Sequence, residues 1–173
     1  MPEKIDLKKL KIQPLDPGMD RAAFYCGEPE LDDFFRGHAA DHHERYLTRV
    51  YTALYDNEIV GYYWLNAQSH SSKTISAEAL AKLERIPFAP CIYLGMIAAL
   101  ERLQGNGIGK VLMLHAFAQT LRVAEYAGVY ALTLEAINEE KAATYKRWGF
   151  ERFIEGELLM YIPLATIRTV LGK

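Results

Sequence analysis

Apolar residues recur along this chain in two periods, and the switches between them mark out the elements. Leu10, Ile12 and Leu15 suggest a first strand within Ile5 to Leu15, stopped by Asp16-Pro17-Gly18. Leu31, Phe34, Phe35 and His38 then fall at helical spacing behind Pro29, a residue suited to a first turn. Glu28, Glu30, Asp32 and Asp33 crowd that turn, where the positive end of the helix dipole accounts for acidic groups better than a metal or catalytic duty does. Val50 to Leu54 and Ile59 to Asn66 are β-branched and aromatic runs split by Asp56-Asn57, residues that tolerate the positive φ of a tight hairpin. Ser76 to Arg85 returns to helical spacing behind a capping Ser. Cys91 to Leu100 is an unbroken apolar run between Pro90 and Glu101, the pattern of a central strand covered on both faces. Gly109 to Tyr126 predicts a helix with Val111, Leu112, Leu114, Phe117, Ala118 and Leu121 as its core face, ended by Gly128. Val129 to Ala136 reads as a strand, Asn138 to Trp148 as a helix, and Phe150 to Pro163 as a strand or hairpin broken at Glu155-Gly156. Hairpins alternate with crossover helices, so the fold class is α/β (α+β) with a mixed sheet.

The chain has 173 residues, half of them hydrophobic and 24% charged, enough to bury one sizeable core. No repeat or linker divides it, so a single domain over residues 1–173 is expected. Twenty Lys and Arg against 22 Asp and Glu leave a net charge of -2, which argues against a grossly basic nucleic-acid coat but leaves room for a local basic face. Cys26 and Cys91 lack CxxC spacing and fit free, buried thiols in a reducing compartment. The charged opening Met1-Pro-Glu-Lys-Ile-Asp is unlike a signal peptide. The longest uncharged stretch, Ile86 to Leu100, holds two prolines and falls short of the roughly 20 residues of a membrane helix. A cytoplasmic protein with no membrane partner is expected.

Chemistry concentrates in Gln104-Gly105-Asn106-Gly107-Ile108-Gly109-Lys110, between a buried strand and a long helix. Three glycines within five residues let several main-chain N–H groups converge on one anion, and the helix N-terminus adds its positive dipole end. A Walker A loop would need Ser or Thr after Lys110, where Val111 stands, and a dinucleotide fingerprint would need GxGxxG where this chain has GxGxG. On spacing alone the same glycines could serve a plain strand-to-helix turn.

The wider pattern Gln104-x-x-Gly107-x-Gly109 resembles the Q/R-x-x-G-x-G/A loop with which the GNAT acetyltransferase superfamily holds the pyrophosphate of acetyl-CoA. The run from Asn138 through Tyr145 to Gly149-Phe150 resembles the superfamily's Asn-opened, Tyr-bearing helix, and Asn57-Glu-Ile-Val-Gly61-Tyr-Tyr resembles its hairpin, so the likeness covers about residues 50 to 163. It implies the GNAT fold: a mixed central sheet of six to seven strands flanked by about four helices, with splayed strands forming the acetyl-CoA cleft. It further implies that Ile97 and Ala99 bind pantetheine through their backbone, and that Gln104, Gly105, Asn106, Gly107, Ile108, Gly109 and Lys110 take the pyrophosphate. Asn138 would reach the pantetheine and Tyr145 would be the catalytic acid. An amine would attack the acetyl carbonyl directly, a backbone N–H near Ile97 to Ala99 would polarise the oxygen, and Tyr145 would protonate the departing thiolate. Acetyl-CoA is then the cosubstrate and no metal is implied. His38, His42 and His43 alone form no convincing metal set. Glu101, Glu135, His70 and His115 are candidate bases, none of them singled out by sequence.

Within the superfamily, Phe24 to Phe35, Val60-Gly-Tyr-Tyr-Trp-Leu and Leu94-Gly95 resemble the GNAT toxins of bacterial toxin–antitoxin pairs. Met96 and Leu100 stand where many such toxins carry Arg and Asp. This likeness implies an amine substrate that is the α-amine of aminoacyl-tRNA, a ribbon-helix-helix antitoxin as partner, and a homodimer. An α-amine, with a reference pKa near 8 against about 10.4 for lysine, suits a site without a base. Lys4, Lys8, Lys9, Lys11, Arg45, Arg49, Arg85 and Arg102 are the cations available for a tRNA groove. A small-molecule amine, a polyamine or a protein N-terminus remains an alternative acceptor, as does a non-catalytic CoA-binding module.

Overall fold

Asp56 and Asn57 take φ of 48° and 66°, and this turn joins β2 (Arg49–Tyr55) to β3 (Glu58–Ser71), the hairpin that the two β-rich runs predict. The computed structural model describes residues 3–71 and 87–173. The helix expected over Ser76 to Arg85 lies outside the described residues.

Seven strands form a mixed sheet in the order β1-β2-β3-β4-β5-β7-β6, completed by β1 (Lys11–Pro14), β4 (Phe88–Ala99), β5 (Ala131–Glu135), β6 (Glu151–Arg152) and β7 (Leu159–Pro163). Among the described residues five α-helices accompany them: α1 (Pro29–Gly37), α2 (Ala39–Glu44), α3 (Ile108–Ala124), α4 (Glu139–Arg147) and α5 (Leu164–Val170). β1, β2 and β3 pair antiparallel, as do β5, β7 and β6, whereas β4 and β5 run parallel in a register from Cys91 opposite Ala131 to Tyr93 opposite Thr133. β4 holds the central position, as its apolar run predicts. The predicted first strand is shorter than expected, because Leu7–Lys9 wind into a 3-10 turn that the Asp6 side chain caps by accepting the Lys8 N–H. The final hairpin breaks at Gly156, φ 84°, as expected, and α5 follows it unforeseen.

Two compact units make up the chain, Met1–Asn66 with Gly95–Ala116, and Ala67–Leu94 with Phe117–Lys173. In the first, Phe35 of α1 stacks on Tyr62 of β3 with centroids 4.2 Å apart and planes 10° apart, and Phe24 meets Phe35 edge-on at 4.7 Å. Gly61 of β3 lies beneath the start of α3: a Cβ there would meet the Ala98 carbonyl oxygen at 2.9 Å and Leu112 at 3.1 Å. In the second, Ala89, Cys91, Ala131, Phe153 and Tyr161 form a buried cluster in which Phe153 and Tyr161 stack at 4.4 Å.

Helix α3 turns inward a face that shares Leu112 and Phe117 with the one expected and departs from it elsewhere. Ile108, Leu112, Met113, Ala116, Phe117 and Thr120 are buried, whereas Val111, Leu114, Ala118 and Leu121 are half-buried. This helix is apolar almost all round, so hydrophobic spacing alone could not select the inward stripe, and Thr120 broke the pattern that would have traced it. The helix also ends at Ala124 through turns that return the Tyr126 and Ala127 N–H groups to the Val123 carbonyl, ahead of Gly128. No helix among the described residues is long and apolar enough to cross a membrane.

Candidate active site

After β4 the chain makes one 3-10 turn, Glu101–Leu103, and enters the glycine loop. Gly105 and Gly107 occupy the left-handed region, with φ of 85° and 89°, which an L side chain resists. Two loop amides are consumed internally: Gln104 N–H donates to the Glu101 carbonyl at 3.1 Å, and Asn106 N–H to the Leu103 carbonyl at 3.3 Å. The amides of Gly105, Gly107, Ile108, Gly109 and Lys110 donate to no group among the described residues, and Val111 N–H begins the helical ladder on the Gly107 carbonyl. Nothing stands within 4 Å of where a Cβ would lie on Gly105 or Gly109. Unspent N–H groups at the head of a 17-residue helix, with open space beside them, are the donor set that an anionic diphosphate requires.

Gln104 is exposed, but its side chain reaches back to the chain. Its Nε2 donates to the Cys26 carbonyl at 2.8 Å and to the Ala99 carbonyl at 3.3 Å, stapling the loop both to the lead-in of α1 and to the end of β4. On β4, Ile97 and Ala99 are half-buried on either side of buried Ala98. The register of β4 with β5 stops at Tyr93, so the β4 backbone beyond it is not laddered to β5. In this first unit the structure therefore brings Ile97, Ala99 and the whole Gln104–Lys110 loop together.

Asn138 and Tyr145 belong to the second unit. Asn138 caps α4, its Oδ1 accepting the Lys141 N–H at 2.9 Å, while its Nδ2 donates to nothing among the described residues. Asn, Asp, Ser or Thr at this position supplies an oxygen to an orphan amide, which is why the helix starts here. An Arg152–Glu139 pair at 2.5 Å ties the same turn to β6. Tyr145, near the other end of α4, packs edge-on against Trp148 at 6.1 Å and Phe150 at 5.8 Å. Its hydroxyl makes no hydrogen bond among the described residues, and burial raises the phenol above its ordinary pKa, so it stays protonated at neutral pH.

The candidate bases sit in unlike settings. His115 Nδ1 and the Tyr63 hydroxyl are hydrogen-bonded at 2.7 Å. His70 tilts against Phe153 at 5.2 Å, and burial lowers its pKa. Glu101 and Glu135 are exposed. Both thiols are free and buried, and burial pushes them up, Cys26 to about 11 and Cys91 to about 12, values that leave little thiolate. Of the cations proposed for a groove, Lys4, Lys8, Lys9 and Lys11 are exposed, Arg45 pairs with Asp41, Arg102 pairs with Glu3 and Glu58, and Arg49 lies over the Tyr46 ring at 5.7 Å. Arg85 is outside the described residues.

One functional-looking residue escaped the sequence. Asp32 is fully buried, not a solvated dipole partner: its Oδ1 accepts the Cys26 N–H at 2.7 Å, and its Oδ2 has no partner among the described residues. Asp32 and Gln104 thus grip the same residue, one by its N–H and one by its carbonyl. The signal available was an Asp at an inward helical position beside Leu31 and Phe35, hidden by its acidic neighbours.

Comparison with known proteins gives the family. Residues 15–150 match the model of the acetyltransferase (GNAT) family. The probable toxin TacT of Sinorhizobium fredii (strain NBRC 101917 / NGR234) is 30% identical over 171 residues, covering 93% of this chain and 94% of its own. A tRNA-acetylating toxin of Mycobacterium tuberculosis (strain ATCC 25618 / H37Rv) is 28% identical over 155 residues, covering 88% of this chain and 91% of its own. The toxin AtaT in complex with acetyl-methionyl-tRNAfMet superposes with a TM-score of 0.84 at 26% identity, over 94% of this chain and 99% of AtaT. A tyrosine-to-phenylalanine mutant of AtaT bound to the C-terminus of the antitoxin AtaR and acetyl-CoA superposes at 0.80 and 26% identity, over 95% of this chain and 99% of that one.

Proposed function

This chain belongs to the acetyltransferase (GNAT) family and is an acetyl-CoA-dependent N-acetyltransferase; from that premise we propose that its acceptor is the α-amine of an aminoacyl-tRNA. The observation that carries the proposal is the likeness, over 94% of the chain, to AtaT in complex with acetyl-methionyl-tRNAfMet. The exposed Lys4, Lys8, Lys9 and Lys11 allow a local basic face on a chain whose net charge is -2.

In this reading the free amides of Gly105 and Gly107–Lys110 hold the pyrophosphate of acetyl-CoA, and the backbone of β4 at Ile97 and Ala99, beyond its register with β5, holds the pantetheine as an added strand would be held. Gln104 and Asn106 serve the loop by shaping it, since their own amides are spent. The Nδ2 of Asn138 is left to donate to the pantetheine. Acetyl-CoA supplies an activated acetyl group. The chain's part is to hold it, to direct a β4 N–H at the carbonyl oxygen, and to offer the Tyr145 proton to the leaving sulfur. The α-amine, with a reference pKa near 8, loses its own proton readily, which relieves the site of a dedicated base. We further propose that residues 1–173 work as one acetyltransferase domain in the cytoplasm, as a homodimer, and that an antitoxin neutralises the enzyme.

The test is incubation with labelled acetyl-CoA and, in parallel, charged tRNA, uncharged tRNA and a panel of small amines. Label is expected on charged tRNA alone. Label on polyamines or a protein N-terminus, with none on charged tRNA, would refute the acceptor.

A further inference from the structure

The glycine loop is held from outside by the chain's N-terminal segment. Asn106 Nδ2 donates to the Glu3 carbonyl at 2.7 Å and to the Leu103 carbonyl at 3.0 Å, while its Oδ1 accepts the Ile5 N–H at 3.3 Å. One side chain thereby pairs with the segment's backbone on both sides of Lys4, as a neighbouring strand would. Further fixings surround it. Arg102, two residues before the loop, makes ion pairs with both Glu3 and Glu58. The Asp6 N–H donates to the Tyr55 hydroxyl at 3.4 Å. Leu7 Cδ1 lies 3.3 Å from where a Cβ would stand on Gly107, so the segment is seated against the loop's second left-handed glycine.

We propose that residues 3–7 are part of the acetyl-CoA site: a strap that fixes the loop in the shape that aims its free amides, with Asn106 as the positioning residue that fastens it. The proposal rests on the reading of this loop as the pyrophosphate cradle. Asn106 lies between Gly105 and Gly107, the two residues with the widest backbone freedom, and a loop free to wander would have to be ordered each time the diphosphate bound. An external restraint lowers that cost, which is preorganisation in its simplest form. Asn106 donates its backbone N–H to the Leu103 carbonyl and commits its side chain to the strap, so it contributes to anion binding through position and not through contact. Arg102 acts on the same segment from the other side, through the Glu3 carboxylate.

The experiment measures affinity for acetyl-CoA by calorimetry, and steady-state kinetics with acetyl-CoA and with acetylpantetheine, which carries the thioester but no pyrophosphate. Asn106→Ala is expected to raise the Kd for acetyl-CoA about fivefold to tenfold, the effect of one or two lost hydrogen bonds. It should leave kcat at saturating acetyl-CoA and kcat/KM for acetylpantetheine unchanged. Arg102→Ala, a surface change that keeps the test open should Asn106→Ala fold poorly, should act in the same direction. The double variant should bind at least as weakly as the weaker single one, because the two residues fasten the same segment side by side, Asn106 at the Glu3 carbonyl and Ile5 N–H and Arg102 at the Glu3 carboxylate. An unchanged Kd in both single variants, or an equal loss with both thioesters, would overturn the strap. A wild type that binds acetyl-CoA no better than acetylpantetheine would overturn the pyrophosphate reading and the strap with it. A wild type that prefers acetyl-CoA beside indifferent variants would overturn the strap alone.

Discussion

The Gln104 side chain donates to the Cys26 carbonyl at 2.8 Å, so the first residue of the glycine loop faces the polypeptide. A second bond, to the Ala99 carbonyl at 3.3 Å, uses the same Nε2. Gln104 is therefore needed as a donor. Gln104→Ala should cost about 1 kcal/mol in chemical unfolding. Gln104→Glu should cost more, because it sets a carboxylate against two carbonyl oxygens. Equal losses in the two variants would refute the donor role.

Gly95 of β4 lies under the Trp64 ring, where a Cβ would fall 1.9 Å from Cη2 and Cζ2. Trp64 is in turn packed by Phe34 at 6.0 Å, so it cannot swing aside freely. Gly95→Ala should destabilise by about 1–3 kcal/mol, the usual cost of overpacking. The loss should shrink in a Trp64→Leu background, where the obstacle is gone. A full loss that persists there would mean that the glycine is needed for another reason.

The sheet and the chemistry were legible to different depths. The Asp56-Asn57 turn, the apolar run of β4 and the Asn138 cap are local signals, written in consecutive residues, and each appears where its chemistry puts it. The inward face of α3 is not local: what decides between Leu112-Met113 and Val111-Leu114 is the shape of the rest of the core. The duties of the Gln104 and Asn106 side-chain amides were illegible for the same reason. Their partners include Cys26, Glu3 and Ile5, some 78 to 103 residues away in sequence, and no pattern within the loop reports them.

His43 is buried at the end of α2 and accepts the Val50 N–H on Nδ1 at 3.1 Å, which requires a neutral ring. Burial, with the Arg49 cation adding to it, lowers its pKa from 6.5. Below that value the unfolded chain binds a proton that the folded protein resists, so stability present above pH 6.5 is lost as pH falls toward the folded pKa. His70, lowered by burial as well, adds in the same sense. Urea midpoints should therefore decline from pH 7 to 5.5. His43→Gln should flatten that decline without abolishing it, and a slope unchanged in the variant would remove His43 from the account.

Tyr145 can be tested with little damage to its surroundings, since phenylalanine keeps the edge-on contacts with Trp148 and Phe150 and loses a hydroxyl that makes no hydrogen bond among the described residues. If that hydroxyl is the acid, Tyr145→Phe should lower kcat by roughly a hundredfold to ten-thousandfold while leaving the Kd for acetyl-CoA and the unfolding midpoint unchanged. The pH profile supplies a second reading. Burial raises the phenol above its ordinary value near 10, so its proton remains available across the neutral range and the alkaline limb it imposes on kcat lies above pH 10. The variant should lack that limb. Full turnover in Tyr145→Phe, or the same alkaline limb in both proteins, would assign the proton on the leaving sulfur to another donor.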